Sequence, residues 1–136
     1  MVRRSLLAAC VAVAALSVVS ASMPSDAAPA PSVSRRVLLT QDLSIPNYQT
    51  AFVEVIIPAG GREGRHTHPG SAVVHVLEGS LTLDMEGVPS KTYQAGETLY
   101  IDTGKVHEGI NNGATRMKAL ASFVVEKGKP LASPVQ

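Results

Sequence analysis

Beyond Arg35 the chain is cut into short apolar, β-branched stretches, with Gly- and Pro-containing turn signals between them. They recur roughly every 8–12 residues, the rhythm of a β-sandwich or barrel. Val37-Leu38-Leu39-Thr40 is the first such stretch. Tyr48 to Ile57 is longer and stops at Pro58-Ala59-Gly60-Gly61. Ala72 to Leu77 ends at Glu78-Gly79, and Leu81 to Glu86 alternates apolar with polar residues, as a half-buried strand does. Gly87-Val88-Pro89-Ser90 is a turn, Lys91 to Tyr93 and Thr98 to Ile101 flank Ala95-Gly96, and Met117 to Val125 is the last apolar strand. Lys127 to Gln136 reads as a polar tail. No stretch after Ala28 spaces apolar residues helically over three turns with caps at both ends. The expectation is an all-β fold, a single barrel or jelly roll over residues 35–136. Aromatic residues make up only 4% of the chain, so the core is small, and a homodimer would extend it.

Residues 1–28 read differently. Arg3 and Arg4 precede an apolar run from Leu6 to Ala21, and small residues follow at Ala21 and Ala28. That is the pattern of a cleaved export signal, and the run is short for a membrane span, which needs about 20 apolar residues. The chain is therefore expected to be periplasmic or secreted. Contact with a membrane would come only through an uncleaved leader. Arg3-Arg4-Ser5-Leu6-Leu7 also fits a twin-arginine signal loosely, a route that exports folded proteins. Residues 29–34 are rich in Pro, Ala and Ser and read as a linker.

Removing the leader leaves ten basic and ten acidic residues. A neutral domain lacks the basic patch that nucleic acid or an anionic membrane requires. The one cysteine, Cys10, leaves with the leader. Disulfides, thiolate metal ligands and a cysteine nucleophile are thereby excluded from the mature domain.

The histidines carry the chemical signal. On a strand, residues i and i+2 share a face, so His66 and His68 project side by side. Two imidazoles so placed can reach one cation through bonds of about 2.0–2.1 Å. His107 is the natural third ligand. Taken alone, His-x-His fits two half-exposed loop residues equally well.

The surrounding residues resemble the cupin superfamily, small β-barrels recognised by two motifs. Gly60, His66, His68 and Gly79 match the first motif, Gly-x5-His-x-His-x3/4-Glu-x6-Gly. Gly96, Gly104, His107 and Asn111 match the second, Gly-x5-Pro-x-Gly-x2-His-x3-Asn. The resemblance implies a single cupin barrel with a divalent metal ion (iron, zinc, nickel or manganese) held by His66, His68 and His107. Two positions depart. Asp102 replaces the proline, and the glutamate position falls on Ala72 or Val73, neither of which bears a carboxylate.

Three neutral imidazoles leave the divalent charge uncompensated and a coordination position open. Such a centre favours a small chelating anion, an enolate, carboxylate or catecholate, whose charge the metal stabilises. Some cupin dioxygenases resemble this arrangement and use ferrous iron, so an Fe(II) dioxygenase is the leading expectation. Zinc, nickel or manganese would imply an isomerase or hydrolytic role. A non-catalytic binder of small molecules and a barrel with a decayed site are the alternatives. His75 lies on the face opposite Ala72, or, in the other register, points inward beside the site as a fourth ligand, a support for the ligands or an acid/base group. Glu63, Glu78, Asp84, Glu97 and Glu108 are expected on turns and solvated strand faces.

Overall fold

The computed structural model describes residues 32–136. The leader and residues 29–31 of the linker lie outside the described residues. Ser34, read as the last linker residue, opens the first strand, and Val33 packs against the core.

Ten strands follow in order: β1 (Ser34–Asp42), β2 (Tyr48–Ile57), β3 (His66–Thr67), β4 (Ser71–Glu78), β5 (Ser80–Met85), β6 (Lys91–Gln94), β7 (Thr98–Ile101), β8 (His107–Ile110), β9 (Met117–Glu126) and β10 (Ser133–Pro134). There is no helix among the described residues. The strands form two antiparallel sheets of five, ordered β1-β2-β9-β4-β7 and β10-β3-β8-β5-β6. The expected all-β jelly-roll barrel is what the chain forms.

Period-two alternation decides which side chains meet inside. Along β9, Met117, Ala119, Ala121, Phe123 and Val125 are buried, while the intervening residues turn outward. Ala51, Val53 and Ile57 of β2 and Ala72, Val74 and Val76 of β4 face the same interior. Leu81 and Leu83 close it from the opposite sheet. Burying each of the larger aliphatic side chains contributes about 1.5–3 kcal/mol. The alanines contribute less, and two of them, Ala119 and Ala121, line the cavity described below.

Gly79 shows why a turn residue is fixed. Its φ is +69°, and a Cβ there would sit 2.7 Å from the Arg116 carbonyl oxygen. A side chain would suffer both backbone strain and a clash with the start of β9.

β2, β4, β5, β7 and β9 match the sequence pattern closely; β1 runs beyond the expected Val37 to Thr40 at both ends because it pairs along β2, and β3, β8 and β10 escaped the pattern. The C-terminal segment is corrected outright. It is not only a polar tail, because Ser133 and Pro134 pair with Thr67 and His66, and Leu131 packs on the core.

Candidate metal centre

His66 and His107 lie directly across from each other where β3 pairs with β8, and His68 follows two residues later on the same side. The topology thus brings together imidazoles some forty residues apart in sequence. Ring centroids are 4.4 Å apart for His66–His107 and 4.8 Å for both His66–His68 and His68–His107. One nitrogen from each ring lies within 4.8 Å of the others, and all three residues are buried. Phe123 of the opposite sheet meets His68 edge to face at 4.8 Å and braces it.

Each ring is set by a main-chain carbonyl. Nδ1 of His66 lies 2.7 Å from the Gly64 oxygen, Nδ1 of His68 lies 2.6 Å from the Leu131 oxygen, and Nδ1 of His107 lies 2.8 Å from the Lys105 oxygen. A carbonyl can only accept, so Nδ1 is the donor in every case. The neutral tautomer therefore leaves the Nε2 lone pair bare on all three rings. This is how metal-ligating histidines are usually oriented. Burial pushes His68 down to about 4, against the opposing pull of the Leu131 carbonyl, and pushes His107 down as well. In both, burial favours the unprotonated form that binds metal. The donor set fits a divalent cation such as iron, zinc, nickel or manganese.

The register of β4 settles the carboxylate position. Ala72 is buried and Val73 is 46% exposed on the outer face. His75 shares that outer face, with Nδ1 2.9 Å from the Thr98 hydroxyl. The inward alternative for His75, beside the site, is corrected, because the alternation that buries Ala72, Val74 and Val76 turns His75 to solvent.

The cluster opens onto a cavity of about 120 Å³ with mostly aliphatic walls, among them Val53, Val74, Leu83, Ile101 and Ala121. Cavities of about 150 Å³ accept a benzene-sized molecule. Arg35 and Glu63 also line it, joined at 2.8 Å. Together with His66 and Ala132 they border an outer hollow that includes Arg65 and Val135. The ion pair therefore stands at the neck between hollow and cavity.

Two carboxylates depart from the expectation of solvated positions. Glu63 has a side chain only 14% exposed. Glu108 does face away from the histidines, but it is buried, taking Arg62 at 2.9 and 2.5 Å and the Gly64 amide at 3.1 Å. That clamp fixes the loop whose Gly64 carbonyl orients His66. Asn111 does similar work on the other side. Its amide group donates to the carbonyls of Ile57, Pro58 and Thr115, and its oxygen accepts from Gly113.

A family model for the cupin domain matches residues 53–125. No curated protein matches. Among solved structures, a cupin-like protein from Thermotoga maritima is 20% identical, with a TM-score of 0.61 over 76% of this chain and 75% of that one. A DMSP lyase from Ruegeria pomeroyi, also 20% identical, gives 0.63 over 76% of this chain and 52% of its own. An oxalate oxidase in complex with the substrate analogue glycolate is 26% identical, with a TM-score of 0.57 over 63% and 46%. The chain thus spans about half the length of these two enzymes. The two likenesses at 20% identity bear on fold alone.

Proposed function

This chain belongs to the cupin family, and on that premise we propose that it is an exported metalloprotein in which His66, His68 and His107 hold one divalent cation facing a small apolar cavity. The observation that carries this is the triple Nδ1–carbonyl clamp, which bares three Nε2 atoms toward one point. Buried imidazoles whose bare nitrogens are aimed together form a ligand set.

The substrate class follows from the walls and the charge. The aliphatic lining selects a small, largely apolar body. The uncompensated cation selects an oxygen anion, as in an enolate, carboxylate or catecholate. Glycolate in the oxalate oxidase neighbour is a ligand of that kind, a small oxygen chelator. Ferrous iron would supply redox chemistry with dioxygen, and zinc, which has no second accessible oxidation state, would supply Lewis acidity alone. We favour the iron-dependent dioxygenase reading. A non-catalytic binder is the second reading, and it is favoured by the alanine at the carboxylate position.

Elemental analysis of the purified protein should find about one metal per chain, and iron-loaded protein should consume oxygen with a diketone or catechol from a substrate panel. Absence of any metal after reconstitution with iron, zinc, nickel and manganese defeats the proposal. Metal-loaded protein with no uptake across the panel leaves the binder.

A further inference from the structure

A cupin that has lost its motif glutamate should feel the divalent charge undiluted, yet an acidic side chain does line the same cavity. Glu63 sits three residues before His66 in the loop leading into β3. Its main-chain N–H donates to the Gly109 carbonyl at 3.0 Å, which ties it to β8. Gly109 lies two residues beyond His107 on that strand and so shares its face. A Cβ on Gly109 would overlap Oε2 of Glu63. The carboxylate therefore occupies the space that a side chain at residue 109 would fill, in the same row as the His107 ring.

Arg35 donates from Nη2 to Oε1 of Glu63 at 2.8 Å, and among the described residues no hydrogen bond reaches Oε2. Glu63 does not belong to the group of nitrogens within 4.8 Å of one another, so it stands outside direct ligation.

We infer that Glu63 replaces in charge, though not in position, the carboxylate absent at residue 72: it balances the cation from outside the ligand set and accepts a hydrogen bond from a water or substrate oxygen on the open side, while Arg35 holds it at the neck of the cavity. This rests on the metal reading above. Gly109 is part of the arrangement because only a residue without a side chain leaves room for the carboxylate.

The test is titration of cobalt(II) into the metal-free full chain, followed by its visible absorption and by calorimetry, with near-ultraviolet circular dichroism to verify folding. Glu63→Gln should weaken cobalt binding about ten- to hundredfold, the usual cost of losing an outer carboxylate. Gly109→Ala should weaken it in the same direction with Glu63 intact. Arg35→Gln should tighten it severalfold, since a cation leaves and the carboxylate is released. A merely structural ion pair predicts the same sign for Glu63→Gln and Arg35→Gln, so shifts in one common direction overturn the inference. Unchanged affinity in Glu63→Gln overturns it too. A wild-type chain that takes up no cobalt defeats the proposed function first and this inference with it.

Discussion

In one sheet, β2 and β9 pair residue for residue from Tyr48↔Glu126 to Ile57↔Met117, and β9 continues onto β4. In the other, β3 meets β8 at one pair, His66 and His107. The first sheet is held by long ladders and by aliphatic side chains buried along three strands. The second is held near the site by side chains that grip the main chain: Glu108 on Gly64, Asn111 on Ile57, Pro58 and Thr115, and each histidine on its carbonyl. Continuous ladders supply stability, but their regularity aims side chains only at right angles to the sheet. The interrupted segment around β3 allows three rings to turn toward one point, at the expense of needing individual polar braces.

The contrast can be broken most forcefully at the site. Replacing His107 with Ala should reduce metal affinity by well over a hundredfold, more than loss of an outer partner does, while the long ladders hold the fold. Equilibrium dialysis with cobalt alongside a thermal melt reads both effects. A metal-binding loss that appears only together with unfolding would show that the two sheets are not separable in this way.

The converse substitution lies in the ladder sheet. Val76→Ala, at a fully buried position in β4, should lower stability by about 2 kcal/mol. Cobalt affinity measured on the folded protein should change by less than threefold. Urea denaturation gives the first number, and a large affinity change would mean that core packing sets the ring geometry after all.

The smallest effect concerns the brace. The Arg62 guanidinium beside Glu108, reinforced by the Gly64 amide, holds this carboxyl below the usual carboxylate range. The unfolded chain therefore binds this proton more readily than the folded one, and stability rises with pH through that window. Glu108→Gln should cost about 1 kcal/mol at neutral pH, given that Arg62 is largely exposed. The difference from wild type should shrink as pH falls through the carboxylate range. A gap that stays constant down to strongly acidic pH would mean that the carboxylate charge contributes nothing.

Much of this molecule is visible in its sequence because the signal is local. Alternation along Leu81 to Met85 and the His66/His68 spacing need only near neighbours to be read, and both keep their faces in the structure. The orientation of β4 was open between Ala72 and Val73, because a run of small and β-branched residues has two apolar faces; the register with β7 and β9 chooses between them. What stayed hidden depends on partners remote in sequence. Glu108 meets Arg62 forty-six residues away, and Leu131 reaches His68 sixty-three residues away. An acidic residue next to a histidine reads as solvated until its cation arrives from another strand. A leucine between prolines reads as tail until its carbonyl is seen to accept from a ring.

That last contact ties the C-terminal segment to the histidine cluster. The oxygen that orients His68 belongs to Leu131, beyond the final long strand, in a stretch held by two strand pairs with β3, by the Val135 amide on the Arg65 carbonyl and by Leu131 itself packing on the core. A cut between Gly128 and Leu131 would therefore loosen His68 through Leu131 and His66 through its pairing with Pro134, while the long ladders of β2, β9 and β4 stay intact.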